Sequence, residues 1–316
     1  MTMQRSSALA LLAGAVLAAR RPAGAQADLP TVRIGSDPID SFGEAYFGDE
    51  RGIFRDNGVN VAISTFANGA TIVQGVISGD LDAGMANIVN VAAAVAHGIP
   101  LVMLAPAALF SAKHAYSYLC VAKNSPLKTA KDLTGQTIAV STLNDFNQLG
   151  VQAWLDHNGV PPAGVKFVEL KFPEMGPALQ RGTVAAATIA EPSLSAAIHN
   201  GEVRTFANVY AVISPEFANI VWFATKAWVQ KNPDAAKKLV AGIYATARWS
   251  NAHPADTAPI IARIAKLDPA AVAGMTRAYF AVTGDPKYVQ APLDFAYRYG
   301  LIARPITTGE FIVPLG

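Results

Sequence analysis

Cysteine and charged residues are both scarce in this sequence. Cys120 is the only cysteine among 316 residues, which excludes an internal disulfide framework and any metal site built from several cysteines. Charged residues make up 15% and hydrophobic residues 52%, so the chain can bury a large core and is not disordered. Its length allows one large domain or two of ordinary size.

An excess of basic charge is also missing. The formal net charge is +2. However, Arg5, Arg20 and Arg21 lie in the first 27 residues, which hold no acid, so the rest of the chain carries a net charge of −1. This balance gives no support for a nucleic-acid partner or for a membrane surface.

No apolar run is long enough to span a bilayer of about 30 Å. The run over residues 8–19 follows Arg5 and precedes two small-x-small sequences at 23–25 and 25–27. This pattern predicts a secretory signal peptide over residues 1–27, cleaved after Ala25 or Ala27. No cysteine follows it, so a lipoprotein anchor is excluded. We therefore expect a protein exported to the periplasm and not itself membrane-anchored.

Recognisable catalytic motifs are absent. The five histidines are scattered, and none has metal-ligand spacing. The sequence has no Gly-x-Ser-x-Gly elbow, no phosphate-binding glycine loop and no dinucleotide fingerprint. Cys120 falls in an apolar strand, where a buried, inert thiol is expected. We predict no enzymatic activity, no metal and no cofactor.

Strands and helices alternate, and the order repeats once. Strands are predicted at residues 32–35, 61–64 and 81–85, and again at 137–140, 166–170 and 184–189, each followed by a helix. Gly79 and Gly182, which lie 103 residues apart, end corresponding helices in the two copies. Alternation of this kind is typical of mostly parallel sheets covered on both faces. We predict two similar α/β lobes.

The pattern changes after residue 214. A strand is predicted at 219–225, followed by helices without a sheet of their own, the last over residues 287–299. These helices are assigned to the first lobe. Lobe 1 then comprises residues 28–115 and 219–316, lobe 2 comprises 116–218, and two crossover strands near 116–121 and 219–225 join them.

A ligand site is expected between the lobes, because open α/β sheets bind ligands beyond the carboxyl ends of their strands. Asn87, Asp145 and Glu191 could cap helices, contact a ligand or do both. Trp222, on the second crossover strand, could stack on a ligand or belong to the core. The full set of predicted ligand-binding residues is Asp40, Ser41, Phe42, Asn68, Gly69, Asn87, Thr142, Asn144, Asp145, Phe146, Glu174, Glu191 and Trp222.

Four segments together carry a family resemblance. They are GDLDAG at 79–84, VAKNSPLKTAKDLTGQTIAV at 121–140, PEMGPALQRG at 173–182 and the pair Glu191-Pro192. With them the chain resembles the periplasmic solute-binding proteins of ABC importers, in the nitrate, sulfonate and taurine branch that is related to thiamine-pyrimidine binding proteins. The resemblance implies the type II periplasmic-binding-protein fold, with the ligand in the inter-lobe cleft. It also implies a monomeric receptor that delivers a small organic solute to a membrane permease.

One part of the sequence departs from that branch. Sulfonate-binding relatives typically place glycine and consecutive serines or threonines after the first strand of lobe 2, where this chain has LNDFN at 143–147. The expected cleft loops carry Asp40, Asp145, Glu174 and Glu191 but no Arg or Lys. A neutral or cationic ligand is therefore expected rather than a sulfonate: an amine, an amidopyrimidine, or an aromatic heterocycle stacking on Phe42, Phe146 or Trp222.

Two alternatives remain on the same fold. One is an enzyme like those of thiamine-pyrimidine synthesis, which a signal peptide and a single cysteine argue against. The other is a ligand-sensing module that acts through a separate partner.

Overall fold

The computed structural model describes residues 29–313, so the predicted signal peptide and its cleavage site lie outside the described residues. The strands of this region form three sheets. They are β1 Thr31–Ser36, β2 Asn60–Thr65, β3 Ala83–Asn87, β4 Leu101–Pro106, β5 Ala108–Ser111, β6 Ser117–Ala122, β7 Thr137–Val140, β8 Lys166–Glu169, β9 Ala186–Ala190, β10 Val203–Ala207, β11 Glu216–Ala218, β12 Ile220–Thr225 and β13 Tyr279–Phe280.

Helices connect and cover these strands. They are α1 Glu44–Glu50, α2 Ile53–Asp56, α3 Gly69–Ser78, α4 Ile88–Ala96, α5 Phe146–His157, α6 Phe172–Gln180, α7 Ser193–His199, α8 Lys226–Lys231, α9 Pro233–Ala252, α10 Pro254–Ile264, α11 Pro269–Ala273, α12 Gln290–Arg298 and α13 Thr308–Phe311. Short 3-10 turns are found at Asp40–Phe42, Ala112–His114, Ala130–Leu133, Pro162–Gly164 and Pro286–Tyr288.

The two large sheets repeat one arrangement. In lobe 1 the order is β2-β1-β3-β12-β4, with β1 parallel to β2 and β3, and β12 antiparallel to β3 and β4. In lobe 2 the order is β10-β6-β9-β7-β8, with β7 parallel to β8 and β9, and β6 antiparallel to β9 and β10. The predicted pair of α/β lobes is confirmed.

Local sequence explains these elements. The residues of β4 read LVMLAP and are all buried, as expected for a strand covered on both faces. Gly79 and Gly182 follow the ends of α3 and α6 with φ of 83° and 70°. This left-handed conformation is one that glycine adopts without steric cost, so both helices end where the sequence predicts.

The third sheet, β11-β5-β13, adds two details to the predicted lobes and crossovers. The strands predicted as crossovers belong to the lobe sheets as β6 and β12, and the chain passes between lobes just before each of them, where β5 and β11 pair antiparallel. In addition, β13 gives the C-terminal region a strand, and α13 follows the helix predicted as the last. β13 has two residues, too few to show a period-2 pattern.

The C-terminal region contacts both lobes. Helix α9 packs against α1 and α2 of lobe 1, whereas α12 packs against α4 of lobe 1 and α5 of lobe 2. Beside α12, Arg298 Nη2 and Tyr299 Oη donate hydrogen bonds to Asp156 Oδ2 of α5, at 2.9 and 2.7 Å. The exact lobe boundaries stay a prediction.

Candidate functional site

A cavity of about 740 Å³ lies between the two lobes. Loops that follow β1, β2 and β3 line it from lobe 1, and loops that follow β7, β8 and β9 line it from lobe 2. Helices α3, α4, α5 and α6 begin at these loops. The cleft therefore forms where strands end and helices start on both sides, which is where ligands bind in open α/β sheets.

On the lobe 1 side, asparagines cap the helices that start at the cleft. Asn68 Oδ1 accepts a hydrogen bond from Thr71 N at 3.0 Å and caps α3. Asn87 Oδ1 accepts from Asn90 N at 3.0 Å and caps α4, while Asn87 Nδ2 donates to Asn90 Oδ1 at 2.6 Å. Asn68, Asn87 and Asn90 all line the cavity. Their amides are arranged by the helix caps before any ligand enters.

On the lobe 2 side, Asp145 caps α5 and is buried. Its Oδ1 accepts hydrogen bonds from Asn147 N at 2.8 Å and Gln148 N at 3.2 Å. Its Oδ2 accepts from Ser141 Oγ at 3.1 Å and Asn147 Nδ2 at 2.8 Å. Burial raises the pKa of Asp145 to about 6 against the opposing effect of these four bonds. The chain itself thus satisfies both carboxyl oxygens.

The structure brings nine of the thirteen predicted site residues to the cavity wall. They are Ser41, Phe42, Asn68, Gly69, Asn87, Thr142, Asp145, Phe146 and Glu174. Phe146 is almost fully buried and stacks on Tyr210 at a centroid distance of 5.1 Å. It therefore forms part of the wall and is held rigidly by its neighbour.

Asp40 and Glu191 do not line the cavity and have structural partners instead. Asp40 is buried and ion-paired with Arg277, and its Oδ2 accepts a hydrogen bond from Ala278 N at 2.6 Å. Glu191 accepts from Ser195 N at 3.0 Å and from Thr276 N at 3.3 Å. Each carboxylate thus binds its cleft loop to residues 276–278. Sequence reasoning could not identify these partners, because residues 276–278 lie far away along the chain.

Trp222 and Asn144 also lie outside the cavity wall. Trp222 is fully buried, contacts the ring of Phe54 edge-on and donates from Nε1 to Glu44 Oε2 at 2.7 Å. The proposed stacking of Trp222 on a ligand is therefore not supported by its position, since β12 lies inside the lobe 1 sheet. Asn144 has φ of 57° and makes the turn before α5, where its N–H donates to Gln148 Oε1 at 2.9 Å.

Several cavity residues were not among the predicted ones. Asp37 lies in the loop after β1. Its place as the first residue after the strand was the sequence signal that could have identified it as a cleft residue. Tyr116 and Asn219 lie in the links between the lobes, and Asn219 Nδ2 donates to Tyr116 Oη at 3.0 Å. Lys266 follows α10, a helix that the sequence could not place near the cleft.

The cavity is lined by more acids than bases. Asp37, Asp145, Glu169 and Glu174 supply carboxyl groups. Lys171 and Lys266 are the basic side chains on the described wall, and both are exposed. Burial raises the pKa of Asp37 to about 7. Glu169 and Glu174 are exposed like the two lysines, so Asp37 and Asp145 are the less exposed carboxyl groups of the wall, and neither forms an ion pair within residues 29–313.

A metal cluster and a reactive thiol are two features on which catalysis could rest. Within residues 29–313, no group of three or more His, Cys, Asp or Glu side chains is arranged to hold a metal ion. Cys120 is buried in β6, where burial raises the pKa of its thiol to about 12.

No helix within the described range is long and apolar enough to cross a membrane.

Comparison with solved structures identifies the fold. The aliphatic sulphonate binding protein SsuA of Escherichia coli has a TM-score of 0.74 and 18% identity, covering 90% of this chain and 92% of SsuA. The nitrate-binding protein NrtA of Synechocystis PCC 6803 has a TM-score of 0.73 and 14% identity, covering 87% of this chain and 83% of NrtA. The chain therefore has the two-lobed type II fold of the periplasmic binding proteins.

Sequence comparison identifies the family. The family model described as "NMT1/THI5 like" matches residues 40–257, and the chain belongs to this family. The taurine-binding periplasmic protein of Escherichia coli (strain K12) is 27% identical over 183 residues, covering 58% of this chain and 55% of that protein. The chain thus matches about half the length of this curated relative.

The same fold also serves an enzyme. The desulfurization enzyme DszB has a TM-score of 0.66 and 15% identity, covering 90% of this chain and 96% of DszB. The fold is therefore compatible with binding and with catalysis, and only the contents of the cleft separate the two.

Proposed function

We propose that this protein is a monomeric periplasmic receptor that binds a small organic solute between its lobes and delivers it to the permease of an ABC importer. The observation that carries the proposal is the cavity of about 740 Å³ at the meeting of the two sheet edges. Its volume suits a ligand of small-molecule size. Family membership and a relative that is a periplasmic binding protein support the same function.

The charge of the cleft favours a neutral or cationic solute over a sulfonate. Asp37 and Asp145 lie on opposite lobes of the cleft, whereas Lys171 and Lys266 are exposed. A buried anionic ligand requires cations or several converging donors, and here it would also meet the repulsion of the carboxylates. An amine, an amidopyrimidine or an aromatic heterocycle meets no such repulsion. Phe42 and Phe146 offer apolar wall against which a ring can pack.

The side chains that line the cleft fit a receptor better than an enzyme. Nucleophilic catalysis requires a nucleophile within hydrogen-bonding reach of a base. Cys120 is buried with a raised pKa. The Ser141 hydroxyl, which donates to Asp145, also accepts from Asn147 Nδ2 at 2.7 Å and so belongs to the bonded network of the helix cap. Asp145 is held by four bonds from its own chain and serves as a cap. Binding with closure of the lobes needs none of these groups to react.

Solution scattering combined with a thermal-shift screen tests the proposal. Compounds that raise the melting temperature by mass action are selected first. A receptor that closes on its ligand has a smaller radius of gyration at saturating ligand, and mass spectrometry recovers the ligand unchanged. Deletion of the gene should also reduce uptake of that compound by cells. Unchanged scattering at saturation would contradict closure, and recovery of an altered compound would favour the enzyme.

A further inference from the structure

Asp37 is a cleft carboxylate with no partner in the protein. It directly follows β1, and its backbone oxygen accepts a hydrogen bond from Ile39 N at 2.9 Å. Its side-chain oxygens accept no hydrogen bond and form no ion pair with any residue between 29 and 313. Asp40 and Asp145, by contrast, have both carboxyl oxygens bonded. Glu174 also lacks a side-chain partner in the described region but is exposed, so Asp37 is the less exposed of the two cleft carboxyl groups that remain available to a ligand.

Asn219 provides a second unused acceptor. Its Nδ2 donates to Tyr116 Oη at 3.0 Å, which fixes the orientation of the amide. Its Oδ1 is buried and has no hydrogen-bond partner among the described residues. Because an unsatisfied buried acceptor is costly, a site that keeps one is prepared for a donor that arrives with the ligand.

These two acceptors lie at the same end of the lobe 1 sheet. β1 and β12 flank β3, and Ile220 of β12 pairs with Asn87 at the end of β3. Asp37 directly follows β1 and Asn219 directly precedes β12, so they lie at the ends of strands two positions apart, roughly 10 Å at the usual strand spacing. Asn87, whose own oxygen is used as a cap, lies between them. A ligand of a few ring atoms can reach from one acceptor to the other.

We propose that the solute carries a protonated nitrogen, as an amine or amidine, that binds Asp37, and a second N–H or O–H donor that binds Asn219 Oδ1. This inference rests on the proposed receptor function and adds the chemical class of its solute. The cation neutralises a carboxylate that the protein leaves unpaired, and the second donor satisfies a buried oxygen. The remaining asparagine amides and the Phe42 wall accommodate the rest of the molecule.

The test is a matched-skeleton screen on the purified full chain at pH 8. 4-Hydroxybenzyl, 4-aminobenzyl and 4-hydroxybutyl skeletons, which supply the second donor, are each presented as amine, amidine, alcohol and sulfonate, and hits are measured by calorimetry. We expect binding by amines or amidines and none by the sulfonates. Asp37→Asn should weaken the tightest cation about tenfold to a hundredfold, since it removes one charge-assisted hydrogen bond.

Asp56→Asn is the charge-matched control. Asp56 is exposed on α2 and makes no hydrogen bond or ion pair through its side chain within the described region, so this variant should bind within twofold of the wild type. Asp37→Asn should keep or raise the melting temperature of the ligand-free protein, because it removes an unpaired charge that serves binding rather than folding. A structural role for Asp37 would lower it.

Two results overturn the proposal: no amine or amidine binds, or cations bind equally well to Asp37→Asn. The receptor function is judged separately by scattering. A sulfonate or an alcohol that binds and compacts the protein would sustain the receptor function while removing the cationic solute.

Discussion

Arg277 is ion-paired with the buried Asp40 across 237 residues of sequence, with Arg277 Nη2 at 2.6 Å from Asp40 Oδ1. The next residue, Ala278, donates its N–H to the other oxygen of the same carboxylate. The residue before, Thr276, donates its N–H to Glu191 of lobe 2. Residues 276–278 therefore connect the cleft loop after β1 with the cleft loop after β9.

Removal of Arg277 should destabilise the protein strongly. Arg277→Met leaves the Asp40 carboxylate buried without a counter-charge, and breaking such a pair from one side costs about 3–5 kcal/mol. Asp40→Asn combined with Arg277→Met should recover part of that loss, because no charge remains unpaired. Urea unfolding of the two single variants and the double variant measures the coupling. A loss below 1 kcal/mol in Arg277→Met would show that water reaches Asp40.

Asp145 should stabilise the folded protein although it lines the cleft. Asp145→Ala removes an N-cap and leaves the Ser141 hydroxyl and the backbone N–H groups of Asn147 and Gln148 without their acceptor. We expect the ligand-free protein to lose about 1–2 kcal/mol, measured by urea unfolding. Ser141→Ala is the matched control, since it removes one of the four bonds to Asp145 and the bond from Asn147 Nδ2 but keeps the N-cap, and it should cost less. An unchanged stability with lost solute binding would instead make Asp145 a pure ligand contact.

The sequence was sufficient for the fold and for the position of the cleft. Alternating strands and helices, with glycines such as Gly79 at helix ends, define the two sheets, and the residues after each strand then give the cleft loops. It was not sufficient to separate wall residues from supporting ones. Asp40 and Glu191 bind residues 276–278, a contact between distant parts of the chain that no local pattern encodes.

Trp222 illustrates a second limit. A strand buried on both faces shows no alternation of polar and apolar residues, so its sequence does not indicate where each side chain points. All but the last residue of β12 are buried. Trp222 therefore could not be assigned to the cleft or to the core without its hydrogen bond to Glu44.

The burial of Glu44 predicts a pH dependence of stability. Glu44 is fully buried, its Oε1 has no partner among the described residues, and burial raises its pKa well above 4.5. The folded state therefore keeps a proton that the unfolded chain releases as pH rises above about 4.5. The stabilisation is complete below that pH and declines through the folded-state pKa, by at most about 1.4 kcal/mol per pH unit.

Glu44→Gln isolates this effect. Its amide oxygen can still accept from Trp222, but it does not titrate. We expect the free energy of unfolding of Glu44→Gln, relative to the wild type, to increase from pH 5 to pH 8. All other groups titrate equally in both proteins, so the difference belongs to Glu44. Parallel pH profiles would show that Glu44 ionises normally in the folded protein.

Binding of a cationic solute should depend on pH through Asp37. The pKa of Asp37 is raised to about 7 by burial, so the carboxyl group of the ligand-free protein is mostly protonated below that pH. A cation binds the ionised form, and affinity should therefore fall by up to tenfold per pH unit below about 7 and level off above pH 8. The other titratable groups on or beside the described wall are Tyr46, Tyr116, Asp145, Glu169, Glu174, Lys171 and Lys266.

Among these groups, Asp145 has a raised pKa of about 6, so its ionisation adds to the same trend at lower pH. Calorimetric titration of the tightest amine from the screen, at pH 5.5 to 8.5, separates the two carboxyls. Asp37→Asn should remove the change centred near pH 7 and keep the smaller one near pH 6. If Asp37→Asn retains the full pH dependence, the titrating group that governs binding is not Asp37, and the protonated nitrogen is bound elsewhere in the cleft.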